Sequence, residues 1–120
     1  MGSGHYEPPR VVANDGLAQM SDTSDEWIVP RTGIRERRFV DIDEGGTSAS
    51  DLALPAAKMA IAQAGLEVSD VDAIIFATLS LDIFFPGTGC LLGHKIGLGG
   101  VPAPDLVLAS VRPAAPRSQN

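Results

Sequence analysis

The sequence predicts an α/β fold, and three observations support this. Apolar residues recur at helical spacing between Ser48 and Ala64. A short run rich in β-branched and aromatic side chains follows at 73–78, and a further helical segment separates it from a second apolar run at 106–108. Because helices alternate with apolar strands, the strands are expected to pair in parallel. The length of 120 residues fits one small domain or part of a larger one.

Two short helices are predicted near the start of the chain. Asn14 or Asp15 is a suitable N-cap for a helix that runs through Met20, and residues 21–24 offer further caps for a second helix. Pro30 should end or kink the second helix early, because proline has no backbone N–H to donate.

The strongest helix signal lies in the middle of the chain. Residues 37–40 have the composition of a short strand, and the turn-rich segment 43–46 follows it. The helix predicted over 48–64 should stop at Gly65, a residue type that suits the left-handed C-terminal position. Pro55 lies inside this helix and predicts a kink.

The remaining elements alternate between strand and helix. Residues 73–78 are predicted to form a buried strand, 86–96 a helix and 106–108 a second buried strand. Residues 111–120 contain two prolines and no apolar period, so we expect a disordered tail. The predicted organisation is one partial domain over 1–110 followed by that tail.

Charge and composition argue against several classes of function. The net charge is −6, which does not favour binding to nucleic acid or to an anionic membrane. Four of the nine basic residues lie within 31–38, so a local cationic patch is expected. The single cysteine, Cys90, excludes an internal disulfide. The start of the chain lacks the features of a signal peptide, and no apolar run approaches a transmembrane length, so a soluble, cytoplasmic protein is expected.

The segment from Asp22 to Arg37 reads DTSDEWIVPRTGIRER. It resembles the DTSDEWI and RTGIRER signature of β-ketoacyl-acyl-carrier-protein synthase III. Residues 6–14 resemble the opening Y-x-P-x-x-V-x-x-N of that family, and residues 85–97 resemble its F-P-x-x-x-C-x-x-x-x-x-x-G segment. The resemblance covers residues 4 to about 103 and corresponds to the N-terminal third of the family.

This resemblance implies a fold, a reaction and partners. The fold would be the N-terminal part of a thiolase-like, layered α-β-α-β-α structure, truncated here. Full-length members condense acyl-CoA with malonyl-acyl-carrier protein in fatty acid or polyketide-type biosynthesis, by way of a cysteine, a histidine and an asparagine. They act as homodimers, and Phe85 occupies the position of a phenylalanine at that interface. Phe84 beside it makes an exposed apolar pair plausible. Coenzyme A thioester is a substrate, and no cofactor or metal is implied.

A binding site is predicted at Thr23, Trp27 and Arg31. Trp27 and Arg31 are four residues apart, which places an indole and a guanidinium on one face of a helical turn, where an adenine can lie between them. Arginine also binds phosphate, and the hydroxyl of Thr23 or Thr32 can add a contact. By resemblance, Thr23, Trp27 and Arg31 would bind coenzyme A. The competing interpretation makes Trp27 a packing residue and the arginines a solvated, ion-paired surface. Pro30 stands where the family usually has a different residue, and it could turn Arg31 away from Trp27; the pair is nevertheless the site that the resemblance supports best.

No catalytic residue is identified. Cys90 lies in an apolar helical stretch and is interpreted as a packing residue, while His94, four residues later, is interpreted as a surface residue near a helix end. Without gaps from Phe85, the nucleophilic cysteine of the family falls on Ser110, which Val111, Arg112 and Pro113 follow in place of the family's glycine-containing turn. A serine without that turn and without a histidine base is expected to be nearly inert toward a thioester.

Three hypotheses about function follow. The chain is a fragment of the acyltransferase and is inactive alone, or it is a stand-alone module that binds coenzyme A or an acyl-carrier protein, or it is a nonfunctional remnant of a frame-disrupted gene. The mismatch with the family after Ala103 is abrupt, as a reading-frame change or a misassigned gene end would leave it. The acyl primer and the product pathway are not encoded in the segments present.

Overall fold

The computed structural model describes residues 1–41 and 47–107 of the chain. Within these ranges four helices, four strands and one short 3-10 turn alternate along the sequence. They are β1 (Arg10–Ala13), α1 (Asn14–Ala18), α2 (Asp25–Thr32), β2 (Glu36–Phe39), α3 (Ala49–Gln63), the 3-10 turn (Val68–Asp70), β3 (Phe76–Thr78), α4 (Thr88–Ile96) and β4 (Asp105–Val107). The predicted turn at 43–46, the end of the strand at Leu108, Ser110 and the tail 111–120 lie outside the described residues.

The strands form two small sheets. β1 pairs with β2 in antiparallel register, with Arg10 opposite Phe39, and β3 pairs with β4 in parallel register, with Phe76 opposite Asp105. The parallel pair confirms the α/β prediction. β1 was not predicted; its four residues follow a proline-rich opening.

β3 is shorter than predicted, and both parallel strands are more exposed than predicted. Ile74 lies against the helices, because a Cβ on Gly93 of α4 would come 3.4 Å from its Cδ1 atom. Ile75 is 73% exposed, and Leu106 and Val107 are each 51% exposed. Successive side chains of an extended segment point to opposite sides, so the side facing α4 is covered, while the opposite side has no layer over it in the described part of the chain. The prediction of buried strands is therefore wrong.

The helix α3 forms as predicted, from Ala49 to Gln63. Ser48 is its N-cap: the Ser48 hydroxyl accepts the N–H of Asp51 at 3.3 Å, and the Asp51 carboxylate accepts the N–H of Ser48 at 3.1 Å, which is a capping box. Pro55 lies within the helix, and Gly65 follows its end with a φ of +69°. The predicted termination at Gly65 is thus confirmed, and Pro55 does not end the helix.

The N-terminal segment packs directly on α3. A Cβ added to Gly4 would lie 2.0 Å from the carbonyl oxygen of Ala56, and one added to Gly2 would lie 2.1 Å from that of Ala60. These distances are far below van der Waals contact, so only glycine permits this approach of backbone to backbone.

The side-chain cap predicted for α1 is wrong, and Pro30 does not end α2. α1 begins at Asn14 itself, after Ala13, and the side chain of Asn14 makes no cap but is buried. α2 continues through Pro30 and ends at Gly33, which has a φ of +72°. The missing N–H of Pro30 leaves the carbonyl of Glu26 without its helical partner. Because Glu26 is exposed, water can satisfy that carbonyl and the helix tolerates the proline.

The N-termini of α3 and α4 are both held by distant carboxylates. Asp82 accepts the N–H groups of Ala49 and Ser50 at 2.7 and 3.0 Å. Asp105 accepts those of Thr88 and Gly89 at 2.6 and 2.7 Å. A negative charge is favourable at a helix N-terminus, where N–H groups lack helical partners. The helix predicted over 86–96 therefore starts two residues later, at Thr88.

None of the helices in the described ranges has the length and apolar character that crossing a membrane requires.

Candidate functional site

The predicted site residues lie on and just before α2. Ser24 has extended backbone angles, and its hydroxyl accepts the N–H of Trp27 at 3.3 Å. This cap places Trp27 in the first turn of the helix. Because a helical turn takes 3.6 residues, Arg31 follows one turn later on the same side.

Trp27 and Arg31 contact each other directly. The guanidinium carbon of Arg31 lies 4.6 Å from the centre of the indole ring, which is the geometry of a cation–π interaction. Arg31 Nη1 also donates a hydrogen bond to the carbonyl oxygen of Trp27 at 3.0 Å. Pro30 therefore does not turn Arg31 away from Trp27, because the helix continues through the proline.

This contact excludes a purine from the space between the two groups. An intercalated ring needs a separation of about 7 Å, twice the van der Waals contact distance of roughly 3.5 Å, and only 4.6 Å separates the guanidinium carbon from the ring centre. The arrangement expected from the sequence, with an adenine between Trp27 and Arg31, is thus not possible in this structure. The indole is still 55% exposed, which leaves surface available for stacking.

A groove borders the exposed part of the indole. Its volume is about 430 Å³, and Asp22, Thr23, Ser24 and Trp27 line it. This size lies in the range of small-molecule sites. Arg31 is not among the lining residues, so the guanidinium and the groove meet the indole at different parts of its surface. The structure therefore brings Thr23 and Trp27 together at one groove and places Arg31 against the ring beside it.

Asn14 is a component of this region that the sequence interpretation missed. Its side chain is only 2% exposed. Asn14 Nδ2 donates to the Asp25 carboxylate at 2.7 Å and to the carbonyl oxygen of Ile34 at 2.9 Å, while Asn14 Oδ1 accepts from Arg37 Nη2 at 2.5 Å. The available signal is an asparagine directly after the apolar residues 11–13, a position that suits a helix cap and a buried residue equally well.

The cationic patch expected at 31–38 is smaller than the sequence suggests. Arg37 turns inward to Asn14, and its Nη1 atom is buried without a hydrogen-bond partner in the described part of the structure. Arg38 Nε lies 3.7 Å from the Glu7 carboxylate. Arg31 and Arg35 remain exposed and charged, so the patch is reduced by the inward turn of Arg37 and the ion pair of Arg38.

The lone cysteine has a packing environment. Cys90 is partly buried in α4, and its sulfur lies 3.9 Å from the carbonyl oxygen of Ala103. His94 is exposed on the same helix, and within the described residues no hydrogen bond joins the two side chains. This arrangement favours the interpretation of Cys90 as a packing residue and of His94 as a surface residue.

Phe84 and Phe85 form an exposed apolar pair in the loop before α4. Their exposed fractions are 92% and 86%. Asp82 holds the start of this loop against α3, and the N–H of Asp82 donates to the Thr88 hydroxyl at 3.0 Å. The two aromatic rings are thus carried on a loop that is fixed at both ends.

Comparison with known proteins identifies the fold and the family. No protein-family model matches the chain. The chain is 47% identical over 109 residues to β-ketoacyl-[acyl-carrier-protein] synthase III 1 of Vibrio parahaemolyticus, a match that covers 91% of the chain and 34% of that protein. It is 47% identical over 95 residues to β-ketoacyl-[acyl-carrier-protein] synthase III of Koribacter versatilis, covering 79% of the chain and 28% of that protein.

The structural comparison agrees. The crystal structure of 3-oxoacyl-[acyl-carrier-protein] synthase III from Aquifex aeolicus superimposes with a TM-score of 0.80 at 40% identity, over 89% of this chain and 33% of that one. The chain therefore spans about a third of the length of the relatives it matches. Sequence and fold together show that this chain, with part of a thiolase-like α/β fold, belongs to the β-ketoacyl-[acyl-carrier-protein] synthase III family of condensing enzymes.

Proposed function

We propose that this chain provides the adenine-nucleotide end of the acyl-CoA site of a β-ketoacyl-[acyl-carrier-protein] synthase III. The whole enzyme would condense acyl-CoA with malonyl-acyl-carrier protein. The observation that carries the proposal is the groove of about 430 Å³ between Thr23 and the exposed indole of Trp27, in a segment that resembles the signature of the family.

The chemistry of the groove suits a nucleobase. The indole offers a flat apolar surface on which a base can stack, and such stacking contributes about 1 to 3 kcal/mol per base. The Thr23 hydroxyl can donate or accept a hydrogen bond. Asp22 lines the same groove, and a carboxylate there repels phosphate, so we place the base rather than the phosphates in the groove.

Arg31 serves this site in two ways. Its guanidinium covers part of the indole and fixes the orientation of the ring. It also brings a permanent positive charge close to a ribose phosphate attached to a base stacked on Trp27. In this proposal, Arg31 supports the indole from the side and does not enclose the adenine.

The assignment of partners extends the same proposal. Acyl-CoA and an acyl-carrier protein would be substrates in the cytoplasm, with no role for nucleic acid or membrane. The exposed pair Phe84 and Phe85 would contribute to a homodimer interface, because burial of two large aromatic rings is strongly favourable. No cofactor is proposed beyond the coenzyme A thioester that is consumed as substrate.

A stand-alone module that binds coenzyme A is a second candidate function. It is favoured by one observation: the groove and the stacked pair are formed entirely by residues 22–31. In either case, a polypeptide of these 120 residues is proposed to transfer no acyl group. For the third candidate, a remnant of a frame-disrupted gene, a coding stretch for C-S-G-F or C-A-G-F in another frame directly after the codon of Ala103 would be decisive.

The nucleotide proposal is tested by tryptophan fluorescence. Trp27 is the only tryptophan, so titration with coenzyme A reports on this site alone. We expect a dissociation constant on the order of 0.1 to 1 mM, equivalent to about 4 to 5.5 kcal/mol. Arg31→Ala should weaken binding, whereas Lys58→Ala, which removes an exposed charge from α3, should not. Equal affinities of wild type, Arg31→Ala and Thr23→Val would refute the site.

A further inference from the structure

We infer that Asn14 is a positioning residue for the nucleotide site. Its buried carboxamide fixes the place of α2, the helix that carries Trp27 and Arg31. The consequence for ligand affinity rests on the function proposed above, whereas the consequence for the position of the indole does not.

Every strong hydrogen-bonding group of the Asn14 side chain is occupied. Both N–H bonds of the carboxamide have acceptors, Asp25 and Ile34, and its oxygen accepts from Arg37. The backbone N–H of Asn14 also donates, to the carbonyl oxygen of Arg35 at 3.2 Å. A side chain that is 2% exposed and fully bonded has a single orientation, which a solvated surface asparagine lacks.

These bonds reach both ends of α2. Asp25 is the first residue of the helix, and Ile34 follows Gly33, the C-terminal cap. One carboxamide therefore links the start of the helix to the chain just beyond its end. The apolar contact beneath the helix is small, since Ile28 is the buried residue of α2. Burial of a single isoleucine does not fix the rotation of an eight-residue helix, so the polar contacts of Asn14 are needed to set the direction of the indole.

The position requires an amide. A carboxylate at residue 14 has no N–H to donate, so it would face the Asp25 carboxylate and the Ile34 carbonyl with acceptor against acceptor. An apolar side chain at residue 14 would remove the acceptor of Arg37 Nη2. Because Arg37 Nη1 is already buried without a partner in the described structure, both nitrogen atoms would then lack a hydrogen bond.

The test exchanges the two partners. Asn14→Asp places two carboxylates in contact, whereas Asn14→Asp combined with Asp25→Asn restores an amide donor facing a carboxylate and keeps an acceptor for Arg37. The matched control is Gln19→Glu, the same chemical change at an exposed position. Two readouts are used on the full 120-residue chain: the indole N–H resonance of Trp27, recorded without ligand, and the affinity for coenzyme A from fluorescence.

We expect Asn14→Asp to move the indole resonance and to weaken coenzyme A binding about tenfold, which corresponds to 1.4 kcal/mol. The double variant should recover the part of both changes that arises from the contact with residue 25, although the carboxylate at residue 14 still cannot donate to the Ile34 carbonyl. Gln19→Glu should resemble wild type. The inference is overturned if Asn14→Asp leaves the indole resonance in place, or if the folded double variant is no closer to wild type than Asn14→Asp.

Two further outcomes are informative. If far-ultraviolet circular dichroism shows that Asn14→Asp does not fold, Asp25→Ala replaces it as the test of the inference. This variant removes one hydrogen-bond partner of Asn14 and leaves the other two. An unmoved indole resonance in Asp25→Ala would then overturn the inference. If wild type binds no coenzyme A, the proposed function fails, while the resonance measurements still decide the role of Asn14.

Discussion

Removal of the Asp105 carboxylate should destabilise the chain more than loss of an ordinary helix cap. Asp105 accepts the N–H groups of Thr88 and Gly89 at 2.6 and 2.7 Å. Thr88 has no exposed surface, and Gly89 is buried. In Asp105→Ala, water has little access to either N–H, so both lose their acceptor within the protein.

The size of the effect follows from these two bonds. A buried donor left unsatisfied costs about 1 to 3 kcal/mol, and partial relaxation of the helix end relieves some of that cost. We expect Asp105→Ala to lower the free energy of unfolding by about 2 to 4 kcal/mol, compared with the roughly 0.5 to 2 kcal/mol typical of an N-cap. Asp105→Asn keeps one carbonyl acceptor and should lose about half as much.

Urea denaturation followed by circular dichroism at 222 nm measures this loss. The control is Asp72→Ala, an exposed aspartate whose removal should change stability by less than about 0.5 kcal/mol. A loss below about 1 kcal/mol in Asp105→Ala would refute the reasoning, because it would mean that water reaches both N–H groups after all.

Three further predictions concern packing, pH and chemistry. Gly4→Ala places a Cβ 2.0 Å from a backbone oxygen of α3 and should lower the free energy of unfolding, measured in urea, by about 1 to 3 kcal/mol. The control Gly99→Ala has open space around it and should be nearly neutral, so equal stabilities of the two variants would contradict the close approach. Hydrogen bonds from the side chains of Lys95 and then Ser48 lower the pKa of Asp51 from 3.8 to about 2, so its contribution to stability is present above pH 4 and is lost as the pH falls toward 2. Lys95→Met should reduce this part of the acid dependence in a denaturation series, because the hydrogen bonds from Ser48 remain, and an unchanged series would count against the pair. Incubation with radiolabelled acetyl-CoA should leave no stable label on the chain, and stoichiometric label at Cys90 would show that this thiol is a nucleophile.

Local features of the sequence were sufficient to predict several elements of this structure. The helix α3 combines apolar spacing, a serine cap at residue 48 and a glycine stop at residue 65, and all three signals act within a few residues of the backbone that they shape. The pairing of Trp27 with Arg31 is equally local, because residues four apart on a helix are neighbours whatever the rest of the fold does. The parallel arrangement of β3 and β4 also follows from the order of the elements.

The sequence did not reveal the side chains that hold distant elements together. Asp82 lies 33 residues from its partner Ala49, and Asp105 lies 17 residues from Thr88. An aspartate in a loop has the same local appearance whether it faces water or a helix N-terminus. The role of Asn14 was misjudged for the same reason, since capping and burial both suit an asparagine after a strand.

Burial was likewise a tertiary property. Ile75, Leu106 and Val107 have the composition of strands covered on both faces, yet they are exposed in the described structure. Composition reports how favourable burial would be, but whether a side chain is buried depends on which layers are present to cover it. The sequence by itself thus determined the helix α3, the family signature and the four-residue spacing that brings Arg31 to Trp27. The tertiary structure decided which polar side chains join those elements and which apolar side chains remain exposed, because both depend on contacts between residues far apart in the chain.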